Sequence, residues 1–299
     1  MIQQIKYLIA ETIRKAGKDD IITQGAAIAF YTIFSFAPLF ILIVALGNFF
    51  LSQQAFEAQI QEYLSGFVDP ETLDLLTSYM EEKATEGEGL FTTVIALIIV
   101  VFGATTVIGQ LKLTLNRIWN VTEVRINSIW NFLLNRLLSF GMIILISLLL
   151  IISLLAEAAF AVVAEFFTDL IPNMELALFQ VSAQLGTIGF SIIFFTLIFR
   201  ILPDVHAPWK DLLIGSIVTT FLFLIGKYII GFYFTTTGIE AAYRAAGSLV
   251  ILIVWVYYNV QTILLGAVFT QVYTKKYGGK IQPYRYVSLI SSGEEVKQP

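Results

Sequence analysis

The stretch FRILPDVHAPWKDLLIGSIVTTFLFLIGKYIIGFYF, Phe199 to Phe234, is followed after a short polar connector by GSLVILIVWVYYNVQTILLGAVFTQVY, Gly247 to Tyr273. Its apolar part, Leu212 to Phe234, and the second run each exceed the roughly 20 residues that carry a helix across a bilayer core of about 30 Å. Both read as membrane spans. Lys227 lies fifteen residues past Leu212, about 22 Å along a helix. An ionisable group at that depth marks a functional position unless it snorkels to the headgroups.

The whole chain follows the same pattern. Of 299 residues, 57% are hydrophobic and 13% charged, and the mean hydropathy is +0.80, the composition of a polytopic membrane protein. No cysteine is present, which excludes thiol catalysis, disulfides and cysteine metal sites. About 25 mixed residues precede the first apolar run, too many for a cleavable signal. Six spans are expected, at approximately 26–51, 90–111, 137–167, 177–202, 212–234 and 247–273. They make an all-α membrane protein with a single domain over 1–280 and a polar C-terminal tail over 281–299.

Basic residues set the orientation. Lys6, Arg14, Lys15 and Lys18 precede span one, and Lys112, Arg117, Arg125 and Arg136 lie between spans two and three. Arg200 and Lys210 lie between spans four and five, and Lys275, Lys276, Lys280, Arg285 and Lys297 follow span six. Opposite them stand only Lys83 and Arg244, so both termini are expected in the cytoplasm of a bacterial inner membrane. Ile2, Ile5, Ile9, Ile13 and Ala16 recur at helical spacing, an amphipathic N-terminal helix that can rest on headgroups or pack on neighbouring loops. The acidic segment 52–89 reads as an external helical hairpin broken at Asp69-Pro70.

Catalytic residues are scarce. His206, the only histidine, has Asp204 and Asp211 near it in sequence, too few ligands for a metal site at recognised spacing. No phosphate loop or nucleophile elbow occurs. The expectation is therefore no enzyme activity, no cofactor and no metal. Polar residues inside the spans are the better candidates for a path through the bundle: Tyr31, Ser35, the kinking Pro38, Gln184, Asn259 and Gln261, with Lys227 and Glu157 as an intramembrane pair. Interhelical hydrogen bonding is the alternative role for each. Pro203 biases Leu202 away from helix, leaving Asp204 placed to cap the next helix or to pair with Arg200.

Several segments together resemble the YihY/BrkB family of bacterial inner-membrane proteins. They are AAIAFYTIFSFAPL at 26–39, LNRIWNV at 115–121 with Asn116, Arg117 and Trp119, Arg200-Ile-Leu-Pro203-Asp204 through Trp209 and Gly215, and the last span with Gly247, Trp255 and Tyr257. The resemblance covers about residues 10 to 277. It implies a six-span envelope protein and family names drawn from virulence and serum resistance. Some members carry a ribonuclease BN label, but this chain lacks the histidine and carboxylate cluster that metal-dependent phosphodiester cleavage requires. It also departs from the tyrosine-glycine pair common before the last span, since Arg244 follows Tyr243.

The reading favours a transporter or flippase-like carrier of a lipid or amphiphile, with membrane lipids as partners and no nucleic acid. The alternative is a non-catalytic envelope scaffold that binds partners through the acidic hairpin or through Asn116-Arg117-Ile118-Trp119. Oligomeric state is not legible in one chain. Because cysteine is absent, single cysteines report the threading directly. An impermeant maleimide added to intact cells should label Ser78→Cys and spare Ser128→Cys, and the reverse pattern would invert the topology.

Overall fold

Pro203, Pro208 and the Gly278-Gly279 pair divide the second half of the chain into long helices, because each interrupts the backbone pattern a helix needs. The computed structural model describes residues 2–35, 90–123, 175–237, 247–283 and 287–289. They are mostly helical: α1 (Ile2–Lys18), α2 (Ile21–Phe34), α3 (Leu90–Ile118), α4 (Glu175–Ile201), α5 (Trp209–Thr237) and α6 (Gly247–Tyr277). The expected hairpin over 52–89, the third span with Glu157, and Pro38 lie outside the described residues.

Helix ends follow local chemistry. Helix α4 stops at Ile201, two residues before Pro203, and α5 starts after Pro208, whose carbonyl accepts from the amides of Asp211 and Leu212 at 3.1 and 3.2 Å. Asp211 supplies the first-turn acid of α5, and Lys275 and Lys276 the last-turn bases of α6, each matched to the helix dipole. Asp20 and Asn120, just past α1 and α3, have φ of 52° and 55°. Asp and Asn tolerate the left-handed region better than other residues with a side chain.

Among the described residues, four short strands were not expected from the all-α reading: β1 (Val121–Glu123), β2 (Val205–His206), β3 (Gln282–Pro283) and β4 (Val287–Leu289). β1 pairs antiparallel with β4 in the register Val121 to Leu289, and β2 with β3 in the register Val205 to Pro283. β4 thus stitches the tail to the loop after α3, and β3 to the turn between α4 and α5. Strands this short carry no hydrophobic period.

The chain falls into two compact units. One comprises Met1–Gln24, Ile108–Leu224 and Gln261–Pro299; the other comprises Gly25–Val107 and Ile225–Val260. In the first, α5 and α6 run antiparallel in close contact. A β-carbon placed on Gly215 would collide with Thr270, and one on Gly266 with Thr219. The two contacts are reciprocal, because each glycine stands one turn from a threonine on its own helix. Thr219 donates to the Gly215 carbonyl at 2.8 Å and Thr270 to that of Gly266 at 2.6 Å. Such small-residue approaches are how helices associate where lipid removes the hydrophobic drive. In the second unit the Tyr258 ring covers Gly226, and Ser35 covers Gly103.

Among the described residues, two helical stretches are long and apolar enough to cross a membrane: Trp209–Tyr233 with 25 residues and Val250–Tyr277 with 28. Only 28% of either apolar window is buried, so these helices do not form the interior of a water-soluble core. On α5, Leu213, Ile217, Phe221, Ile225 and Ile229 are all exposed, an apolar surface suited to lipid.

The glycine contacts give a direct test. Gly215→Ala and Gly266→Ala should each lower the unfolding midpoint in detergent, by about 1–3 kcal/mol of overpacking. Gly186→Ala meets nothing within 4 Å and should leave the midpoint unchanged or slightly raised.

Candidate functional site

Lys112 and Asn116 stand one turn apart on the last stretch of α3, so their side chains project from the same face. Opposite them lies Asp204, delivered by the turn that Pro203 forces at the end of α4. The Asn116 amide holds Asp204 at two points, donating from Nδ2 to Oδ2 at 2.8 Å and accepting the Asp204 backbone N–H on Oδ1 at 2.8 Å. Lys112 Nζ lies 3.0 Å from the other carboxylate oxygen. All three side chains are buried. A desolvated carboxylate is tolerable only with such a complete set of partners.

Neighbouring contacts brace the same region. Arg200 donates from NH1 to the Ala207 carbonyl at 2.9 Å and lies 5.3 Å over the Trp209 ring. It therefore staples the turn between α4 and α5 and does not pair with Asp204, as the sequence allowed. At the first turn of α5 the carboxylate is that of Asp211, which accepts the Gly279 N–H at 3.1 Å and ties the end of α6 to the start of α5. Gly278 and Gly279 permit this approach, since β-carbons there would strike Asp211 and Pro208. Lys15 meets Asp19 at 2.9 Å and Asn120 Oδ1 at 3.5 Å, which joins α1 to the turn after α3.

The other candidates separate by role. Gln261 donates to the carbonyls of Ile21 and Ile22 at 3.3 and 3.2 Å, and Gln110 donates to Gln24 at 3.2 Å. Both glutamines therefore fasten the first turn of α2, one to α6 and the other to α3. Asn259 turns back to its own helix at the Trp255 carbonyl, 2.7 Å away, and Ser35 does the same at Tyr31. Tyr31 is exposed against Phe30, with ring centroids 5.9 Å apart. Lys227 is exposed on α5. Gln184 belongs to α4, but its side chain, like Glu157 and Pro38, lies outside the description. Of the Asn116 to Trp119 segment, only Arg117 is exposed. Trp119 is buried, and its indole N–H has no hydrogen-bond partner.

Sequence reasoning quoted Asn116 and Asp204 in separate motifs, and the fold brings them together. Lys112 it counted only as a topological charge. The available signal was the spacing of Lys112 and Asn116, a cation and an amide one turn apart at the end of an apolar helix.

Long lipid-compatible helices joined at one end by a satisfied buried polar cluster define a helical membrane protein. Residues 12–286 match the sequence model of the family described as Virulence factor BrkB, and the chain belongs to that family. Similar proteins carry the name UPF0761 membrane protein. The one from Ralstonia nicotianae is 25% identical over 89% of this chain and 58% of its own length. One from Pseudomonas aeruginosa is 24% identical over 82% and 57%, and one from Alteromonas mediterranea 23% identical over 89% and 87%. The chain thus spans under three fifths of the first two relatives. No solved structure matches it.

Removing one member of the cluster should strand the others. Asp204→Ala leaves Lys112 buried without this counterion and the Asn116 Nδ2 group without its acceptor, at a cost of about 3–5 kcal/mol. In a double-mutant cycle, Lys112→Met combined with Asp204→Ala should cost less than the sum of the single changes, as read by thermal unfolding in detergent. Strict additivity would show that the pair does not interact.

Proposed function

We propose that this protein is a six-span carrier of a lipid or other amphiphile in the bacterial inner membrane, with both termini cytoplasmic. The threading draws support from the first unit, where α1, the end of α3, the turn between α4 and α5 and the end of α6 meet. Those are the segments richest in Lys and Arg, the sign expected on the cytoplasmic side. The reading involves no enzymatic step, cofactor or nucleic acid.

The observation that carries the transport reading is Lys227. It is exposed on α5 beside exposed Tyr228, Ile229 and Phe232, so its ammonium is open to whatever occupies that flank. In a bilayer that occupant is lipid, and a cation set back from the helix start by most of the membrane thickness attracts an anionic headgroup. The scaffold alternative has less to work with than the sequence offered, because Arg117 alone of its cytoplasmic segment is exposed.

Purified protein in liposomes containing a fluorescent anionic phospholipid should accelerate lipid exchange between leaflets. Lys227→Met should slow that exchange about fivefold, the equivalent of the ~1 kcal/mol that one basic residue contributes near anionic headgroups. Protein that unfolds normally yet moves no lipid or solute would remove the carrier reading and leave the scaffold.

A further inference from the structure

Helix α1 is amphipathic in an unusual sense: the side it turns to the protein is not its apolar side. Leu8, Glu11, Thr12, Lys15 and Ala16 of α1, with Asp19 just past its end, are the buried or half-buried residues, and at 100° per residue they occupy one arc of about 140°. Four of the six are polar or charged. Thr12 and Asp19 are 6% and 7% exposed, and Lys15 reaches Asn120 beyond the helix. The isoleucines are centred elsewhere. Ile5, Ile9 and Ile13 are 50%, 54% and 65% exposed, on an arc centred about 90° from the protein-facing one. The charged surface forms a third arc, with Lys6, Arg14 and Lys18 all exposed.

Three arcs imply three media. A helix lying on a water-soluble body would turn its isoleucines inward, and a membrane-spanning helix would not carry a charged arc. Protein on one side, an apolar stripe at right angles to it and a charged face beyond the stripe are the arrangement of a helix lying in the plane of a bilayer surface, against the flank of its own protein. Arg14 is engaged by Glu11, with Nε to Oε2 at 2.9 Å, which leaves Lys6 and Lys18 as the cations offered outward. Lys276, 4.9 Å from the Tyr7 ring, adds positive charge where α6 ends and fastens α1 there. Ile22, at the start of α2, is likewise 66% exposed.

We infer that α1 is an in-plane membrane helix, its Ile5, Ile9 and Ile13 stripe immersed among the acyl chains of an anionic leaflet whose headgroups meet Lys6 and Lys18. This placement stands apart from any transport activity. It requires only that the protein reside in a membrane.

Environment-sensitive labels on single cysteines test it in the full-length protein, reconstituted in nanodiscs that contain phosphatidylglycerol. Ile9→Cys and Ile13→Cys, both at exposed sites, should be quenched by shallow doxyl-labelled lipid at least about twofold more than by aqueous iodide, and Lys18→Cys should show the opposite order. Replacing phosphatidylglycerol by phosphatidylcholine should weaken the lipid quenching at Ile9→Cys. Iodide quenching that equals or exceeds lipid quenching at the isoleucine sites would place the stripe in water and overturn the inference. Protection from both quenchers would also overturn it, by showing the stripe covered by protein, such as a second copy of the chain. Indifference to lipid charge would overturn the headgroup assignment.

Discussion

A carboxylate taken out of water must replace every hydrogen bond it leaves behind, and the arrangement around Asp204 meets that demand from two distant parts of the chain. Asn116 serves one oxygen and the backbone amide, and Lys112 serves the other oxygen. Such a cluster is a weak source of net stability, because desolvation offsets most of the attraction, but each partner is costly to remove alone. Its effect is therefore chiefly on register. Helix α3 has one depth and one rotation at which Lys112 and Asn116 both reach the carboxylate, and the turn after α4 has one shape that presents it.

Elsewhere the polar residues of the helices mostly satisfy themselves. Thr32, Thr106, Thr114, Ser191, Thr219 and Thr270 each donate to the carbonyl one turn back on their own helix. Thr196 and Ser216 lie equally close to the carbonyls of Ile192 and Leu212 on their own helices, and their hydroxyls lie 2.6 Å apart, so that one of the two can give its proton to the other across α4 and α5. A hydroxyl bound in this way presents little polarity to a passing substrate. A high count of Ser and Thr in a span is for that reason poor grounds for a polar path. Among the described side chains of α5, Thr220 is buried with an unpartnered hydroxyl.

The long helices were legible because apolar length is a one-dimensional signal. Their limits shifted where the base of the bundle intervened: α3 continues from Leu111 to Ile118 and α6 from Tyr273 to Tyr277, since both project beyond the apolar zone to bring Asn116 and Thr274 into the interior. What the sequence could not reveal was pairing at a distance. Asn116 and Asp204 stand 88 residues apart, Gln261 and Ile21 240 apart, and nothing local distinguishes a glutamine that ties two helices from one that faces a substrate. The ribbons that hold the tail failed to register for a different reason. Their stability comes from the loops they cover and not from their own residues.

The reciprocal seating of Thr270 on Gly215 and of Thr219 on Gly266 constrains how α5 and α6 can move. A threonine displaced by less than a full helical repeat has no glycine beneath it and must ride up on a bulkier neighbour. Axial sliding is consequently blocked, and a step of one full turn, about 5.4 Å, meets the same obstacle, because the residues one turn from the two glycines are Asp211 and Thr219 on α5 and Thr262 and Thr270 on α6. Asp211, holding the backbone of Gly279 at the end of the seam, adds a latch that any axial displacement must also open.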